Sequence, residues 1–215
     1  MRENLGVLQK ILDTGIVPII RTKSADEAMK VAEAINKGGV KILEVTMTVP
    51  NAIGVMEKVA REFHGEVLLG AGTILDAETA RASILAGAKF VVTPCLNLDV
   101  IRICRRYSIP VIPGTMTPTE ILTAWESGAD LVKVFPIDAI GGPKYIKAVK
   151  APLPQVGLVP TGGVTLENTP EFIRAGADAV AVGTSLVDPK AVAEGKFDLI
   201  AENAKKFVEA VRSAR

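Results

Sequence analysis

The residue of this sequence best suited to chemistry is Lys133, which stands inside the apolar run Leu131-Val132-Lys133-Val134-Phe135. In a strand, alternation would place Lys133 on one face with Leu131 and Phe135, and the two valines on the other. Burial disfavours the ammonium form and lowers the pKa of a lysine, which prepares its amine to attack a ketone and form an imine. The structural alternative is a strand-end lysine that extends its amine into solvent.

Glu44 is the second candidate. In the run Ile42-Leu43-Glu44-Val45-Thr46, alternation sets Ile42, Glu44 and Thr46 against the other two residues. A carboxylate on the inward face of this strand could pair with the lysine or carry protons for it. A structural ion pair with some other buried cation would explain the same pattern.

Two glycine-containing loops could bind an anion. One is Pro160–Val164, which includes Gly162 and Gly163, and the other is Gly183-Thr184-Ser185. Glycines let backbone N–H groups approach a phosphate closely, and hydroxyls add donors. A tight turn would need glycine as well. No Gly-x-x-x-x-Gly-Lys-Ser/Thr stretch occurs, so nucleotide hydrolysis is not predicted.

Shorter loops could line the same site. Gly70-Ala71-Gly72-Thr73 ends in a hydroxyl, and Thr93-Pro94-Cys95 is a similar small-residue segment. Each of them also fits a plain turn. No histidine is available to activate Cys95, so we expect an unreactive thiol.

The elements that must position these residues alternate along the chain. Helix-ending glycines precede β-branched runs, and eight strands are predicted to begin near residues 16, 40, 67, 88, 109, 130, 157 and 178. Intervening helices favour parallel strands joined by right-handed crossovers. We predict an α/β fold, a single (β/α)8 TIM barrel over residues 1–215, with an extra N-terminal helix over the first 13 residues that closes its bottom. The alternative is an open doubly wound sheet, but Arg21-Thr22-Lys23 stands where its glycine-rich fingerprint would be.

Such a barrel would bring the candidate residues together, because active sites lie at the carboxyl ends of its strands. Lys133 falls on strand six and Glu44 on strand two. The two glycine loops follow strands seven and eight, where barrels of this kind commonly bind phosphate.

Helix starts are marked by polar residues. Ser24 and Thr117 each begin a capping box with a glutamate three residues later. Asp76, Asn97 and Thr165 are the candidate N-caps after strands three, four and seven.

Composition excludes several classes of function. Of the 215 residues, 48% are hydrophobic and 23% charged, with a net charge of +1, so neither a nucleic-acid nor a membrane partner is expected. Two cysteines cannot form a disulfide framework, which favours a cytoplasmic protein. The single histidine, His64, cannot supply a zinc site, so no metal is expected.

Four motifs in order resemble the KDPG/KHG aldolase family, which takes its name from 2-keto-3-deoxy-6-phosphogluconate (KDPG) and 4-hydroxy-2-oxoglutarate (KHG). They are LEVT at 43–46, GAGT at 70–73, the strand-six lysine followed by Phe135-Pro136, and PTGGV at 160–164. The resemblance runs from roughly residue 10 to residue 190. It implies a class I aldolase without a cofactor, acting on a phosphorylated 2-keto acid and assembled as a homotrimer.

The resemblance also assigns roles by position. The Schiff-base lysine falls on Lys133 and the general acid/base on Glu44. The remaining positions are Thr73 for the pyruvate portion, Pro94, Phe135 and Thr161 lining the pocket, and Gly162, Gly163, Gly183, Thr184 and Ser185 in the phosphate loops.

One position departs from the family pattern. Many members carry an arginine two residues after the threonine of EVT to hold the substrate carboxylate, and here that position is Thr48. We expect Arg21, at the end of strand one, to take over this contact, because an arginine fork suits a carboxylate.

The function that the resemblance implies is cleavage of KDPG to pyruvate and glyceraldehyde 3-phosphate, with KHG as a further substrate. The galactonate-derived analogue of KDPG is a close alternative. A phosphosugar epimerase or isomerase on the same barrel would use Lys133 and Glu44 as acid and base without a covalent intermediate. A non-catalytic phosphometabolite-binding barrel is disfavoured, because buried charge without compensation is costly.

Overall fold

The computed structural model describes residues 2–215 as short strands alternating with helices. Within this range the strands are β1 Ile16–Ile20, β2 Ile42–Thr46, β3 Leu68–Gly72, β4 Phe90–Val92, β5 Val111–Ile112, β6 Gly114–Thr115, β7 Val132–Val134, β8 Leu158–Pro160 and β9 Val180–Val182. The α-helices are α1 Arg2–Thr14, α2 Ala25–Lys37, α3 Ala52–Glu62, α4 Ala77–Leu85, α5 Leu98–Arg106, α6 Pro118–Glu126, α7 Pro143–Lys150, α8 Thr169–Arg174, α9 Pro189–Ala193 and α10 Phe197–Arg212, and a 3-10 turn spans Asp138–Ile140.

The strands form two parallel sheets. Six are ordered β5-β4-β3-β2-β1-β9, and three are ordered β6-β7-β8. A parallel bridge between Thr161 and Ala181 connects the end of β8 to β9. The prediction of an α/β fold with parallel strands is confirmed, and each predicted strand begins within two residues of its expected position.

The predicted fifth strand is divided at Pro113 into β5 and β6. Proline has no N–H to donate to a ladder. The N–H of the next residue, Gly114, is taken by the side chain of Thr93, with Gly114 N and Thr93 Oγ1 3.0 Å apart. The ladder between β4 and the fifth strand therefore stops, and the chain pairs with β7 instead.

The core separates into two clusters that follow the alternation of the strands. Leu43 and Val45 pack outward with the helices. Ile42 and Leu131 belong to the inner cluster, which also contains Val7 and Ile11 of α1. Since Glu44 and Lys133 each lie two residues after a member of the inner cluster, both are on the inward face, as predicted.

Most of the predicted helix caps are confirmed. The side chains of Ser24, Asp76, Asn97 and Thr117 accept hydrogen bonds from the first-turn backbone of α2, α4, α5 and α6. Thr117 forms the full reciprocal box. The predicted box at Ser24 is only half formed, because the Glu27 carboxylate accepts from the N–H of Lys23.

The assignment of Thr165 as an N-cap is wrong. Thr165 Oγ1 accepts from the N–H of Asn168 (3.3 Å), and Asn168 Oδ1 accepts from the N–H of Thr165 (2.8 Å). This reciprocal pair closes a turn, so α8 begins only at Thr169, after Asn168.

None of the helices within residues 2–215 is long and apolar enough to cross a membrane. Over the same residues, no three histidine, cysteine, aspartate or glutamate side chains meet in a group that could hold a metal ion.

Candidate active site

Lys133 lies in the middle of β7 with its side chain buried. The residue is 6% exposed, so the alternative of an amine extended into solvent is wrong. Its Nζ lies 5.0 Å from the centre of the Phe135 ring. Burial lowers the pKa of Lys133 below its ordinary value, and the positive charge of Arg21 acts in the same direction, whereas Glu44 raises it. The result is an amine that loses its proton more readily than an ordinary lysine.

Glu44 lies on β2 and is 1% exposed. Burial raises the pKa of its carboxyl above the ordinary value, and the charges of Lys133 and Arg21 offset only part of this effect. Its Oε2 has no hydrogen-bond partner. Within the described residues the carboxyl also forms no direct ion pair. A buried carboxyl without a fixed partner, and with a raised pKa, is suited to accepting and returning a proton.

Both groups open into one cavity of about 400 Å³. All twelve residues singled out from the sequence line it, namely Arg21, Glu44, Thr73, Pro94, Lys133, Phe135, Thr161, Gly162, Gly163, Gly183, Thr184 and Ser185. The sequence assigned no role to four further apolar residues of the wall, which are Ile19, Val164, Ala181 and Val187. Alternation could have indicated Ile19, because it lies two residues before Arg21.

Thr48 also lines the cavity, and its hydrogen bonding determines what it can offer a ligand. Thr46 Oγ1 donates to the carbonyl of Ile20 at 3.0 Å, and the hydroxyls of Thr46 and Thr48 are 2.8 Å apart. A hydroxyl has one proton, so Thr48 must donate in the second bond. Its remaining capacity is that of an acceptor. Arg21, which is exposed just after β1, keeps its guanidinium donors for a carboxylate, whereas Thr48 does not keep its hydroxyl proton.

The two glycine loops lie side by side at the cavity. Ser185 Oγ donates to the carbonyl of Val164 at 2.8 Å, which connects them. Gly162 and Gly163 have φ angles of 87° and 71°, a left-handed conformation that glycine adopts without strain. In the described chain no protein group accepts from the backbone N–H groups of Gly163, Val164, Thr184 and Ser185. These donors are available to an anion.

Thr73 has an unusual backbone. Its φ is 59°, in the left-handed region that a β-branched residue rarely adopts. The conformation begins directly after β3 and leaves Thr73 on the cavity wall. Strain of this kind is concentrated at functional sites.

The cysteines add no reactive group to the described site. Cys104 is buried, and burial raises the pKa of its thiol to about 12, with Asp130 contributing in the same direction. Cys95 is exposed next to Pro94 and does not line the cavity.

Comparison with known proteins agrees with this geometry. The chain matches the family model "Aldolase: KDPG and KHG aldolase" over residues 7–203. It is 33% identical over 205 residues to the KHG/KDPG aldolase of Escherichia coli K12, covering 95% of this chain and 96% of that one.

Two solved structures are also similar. One is the KDPG aldolase of Legionella pneumophila with pyruvate captured at low pH as a covalent carbinolamine intermediate (TM-score 0.86, 30% identity, 93% of this chain and 96% of that one). The other is described as the native KDPGal structure (TM-score 0.85, 34% identity, 93% and 95%). The chain therefore belongs to the KDPG and KHG aldolase family and is a carbon–carbon lyase.

Proposed function

We propose that the protein is a class I aldolase that cleaves KDPG to pyruvate and glyceraldehyde 3-phosphate through an imine on Lys133. The observation that carries the proposal is a buried lysine with a lowered pKa sharing a cavity with a buried carboxyl, Glu44. The carbinolamine of pyruvate in the Legionella pneumophila relative supports the same chemistry, because a carbinolamine precedes an imine.

The reaction begins when the neutral amine of Lys133 attacks the C2 ketone. The carbinolamine loses water and becomes a protonated imine, with Glu44 supplying the proton that leaves with the hydroxyl. Glu44, now a carboxylate, removes the proton of the C4 hydroxyl. The C3–C4 bond breaks, its electron pair moves into the imine, and the aldehyde departs. The remaining enamine takes a proton at C3 and is hydrolysed to pyruvate and free Lys133. Proton transfer by a positioned group contributes about 10²–10⁴-fold.

Arg21 is proposed to hold the substrate carboxylate. Thr48 has already donated its hydroxyl proton to Thr46 and has none for an anion. The charge of the Arg21 guanidinium also lowers the pKa of Lys133, so Arg21 is near enough to the reacting amine to act on it electrostatically. Both observations favour Arg21 over Thr48.

A phosphorylated substrate is supported by the two loops that line the cavity, because their free N–H groups and glycines suit a phosphate. KHG is retained as a further substrate, since the Escherichia coli relative is named for both compounds. The galactonate-derived analogue stays the alternative, given the similarity to the KDPGal structure.

We further propose that residues 1–215 form a single (β/α)8 domain in which the two sheets are parts of one barrel. Support comes from the Thr161–Ala181 bridge on one side and from the short break at Pro113 on the other. Helix α1 would close the bottom, because Val7 and Ile11 pack into the inner cluster.

A homotrimer is proposed from family membership. Leu75 and Leu98 are 55% and 45% exposed, and association could cover them. Light scattering after gel filtration should give about three times the 22.7 kDa of one chain. A single-chain mass across the accessible concentration range would contradict the trimer.

Trapping tests the proposed function directly. Sodium borohydride with pyruvate should reduce the imine and leave a pyruvyl adduct that peptide mapping locates on Lys133. The variant Lys133→Ala, checked for folding by its circular dichroism, should give none. Absence of an adduct in the folded native protein, or an adduct on another lysine, would refute the proposal.

A further inference from the structure

The inward face of β3 carries no side chain at two positions, Gly70 and Gly72. Strand β2 lies beside it in parallel register, with Glu44 opposite Gly70 and Thr46 opposite Gly72. A side chain from a neighbouring strand occupies the space at each glycine. The Phe90 ring fills the space at Gly70, and the Glu44 carboxyl fills the space at Gly72.

The contact at Gly72 is with the reacting end of Glu44. A Cβ at this position would lie 2.6 Å from Cγ of Glu44 and nearer still to its carboxyl carbon and Oε1. Gly72 is not among the glycines with positive φ, so backbone conformation does not require glycine there. Glycine is required there because the Glu44 carboxyl occupies the space that a side chain would need.

We propose that Gly72 is a positioning residue for Glu44: its missing side chain lets the carboxyl lie against β3, out of direct ion-pair contact with Lys133. The inference rests on the proposed function in taking Glu44 as the proton-transfer group. An alanine at position 72 would move the flexible carboxyl off β3 and into the cavity. The cations lining that cavity are Arg21 and Lys133.

The consequence is electrostatic. The ionisable side chains that line the cavity are Arg21 just after β1, Glu44 on β2 and Lys133 on β7. In its present position the Glu44 carboxyl only partly offsets the effect of burial on the pKa of Lys133. A carboxylate brought closer to the ammonium would raise that pKa further and reduce the neutral amine available for attack.

The test measures the pKa of Lys133 without substrate, by competitive acetic anhydride labelling over a pH series and mass spectrometry of the Lys133 peptide. The native protein is compared with Gly72→Ala, Glu44→Ala and the double variant. Gly72→Ala should raise the pKa by about 1 unit. In the Glu44→Ala background the same substitution should leave it unchanged, because the displaced group has been removed.

Two glycines serve as controls. Gly6→Ala, on an open face of α1, should change nothing. Gly70→Ala meets the Phe90 ring, so its effect on melting temperature should be the same with and without Glu44. If Gly72→Ala does not fold, the double variant must fold.

Several results would overturn the proposal: an unmoved pKa in Gly72→Ala, an equal shift in both backgrounds, or a double variant that fails to fold where Gly72→Ala also fails. The labelling does not depend on catalysis. Absence of a pyruvate imine would therefore refute the proposed function, whereas the role of Gly72 is decided by the labelling alone.

Discussion

Glu44 and Lys133 are both buried in one cavity, yet they form no direct ion pair in the described structure. Burial raises the pKa of Glu44 and lowers the pKa of Lys133. The attraction between their charges acts in the opposite direction on each pKa and offsets only part of the effect of burial. A direct contact would hold the amine protonated. Separation leaves it free to become a nucleophile.

The pH dependence of imine formation should therefore respond in opposite directions to two substitutions. In the native protein, trapping with pyruvate should have its inflection below 10.5, the ordinary lysine value. Glu44→Gln removes a charge that raises the pKa of Lys133, so the inflection should move to lower pH. Arg21→Ala removes a charge that lowers the pKa, so it should move to higher pH. Shifts in the same direction would contradict this electrostatic account.

Turnover of Glu44→Gln should fall by about 10²–10⁴-fold, because the proton-transfer group is lost. Slow formation of the imine should persist. Single-turnover trapping set beside the steady-state rate separates the two effects. Equal loss in both measurements would mean that Glu44 acts only in forming the imine and not on the proton transfers that follow it.

The same substitution should change stability in a pH-dependent way. The folded-state pKa of Glu44 is raised above 4.5, so above that pH the folded protein binds more protons than the unfolded chain, and stability falls as pH rises to the raised pKa. Each unit of the elevation corresponds to about 1.4 kcal/mol. The melting temperature of Glu44→Gln relative to the native protein should therefore increase from about pH 4.5 upward and then level off. If the difference in melting temperature between the two proteins does not change with pH, folding does not raise the pKa of the Glu44 carboxyl.

The sequence predicted the inward direction of Glu44 and Lys133 because a period of two fixes the face of each strand residue. It did not predict the division at Pro113, which depends on a hydrogen bond from Gly114 to Thr93, 21 residues earlier in the chain. The lean of Glu44 toward Gly72 and the donor direction of Thr48 were equally out of reach. Both are set by groups on adjacent strands, and local pattern carries no information about them.

Recognition of the substrate carboxylate can be tested by moving the arginine from position 21 to position 48. Arg21→Ala should raise the KM for substrates that yield pyruvate by roughly 10–100-fold, the loss of a charge-assisted hydrogen bond. Thr48→Arg should restore much of this in the Arg21→Ala background, because it places a guanidinium where many relatives carry one. Thr48→Val should leave KM almost unchanged, since the hydroxyl donates to Thr46. An unchanged KM for Arg21→Ala would exclude it as the carboxylate contact.

The phosphate end can be examined by adding one charge at Gly183. This glycine lines the cavity, has no positive φ, and has open space where a Cβ would be, so Asp and Asn should both be accommodated. The two side chains are nearly the same size and differ in charge. Repulsion of a phosphate at short range is worth roughly 1–3 kcal/mol, so kcat/KM for KDPG should be about 10–100-fold lower with Gly183→Asp than with Gly183→Asn. For KHG, which has no phosphate and ends in a carboxylate on a shorter chain, the difference between the two variants should be smaller. If the aspartate lowers kcat/KM for both substrates by the same factor, the loops do not bind the phosphate, because a phosphate bound there would be repelled more strongly than the shorter carboxylate end of KHG.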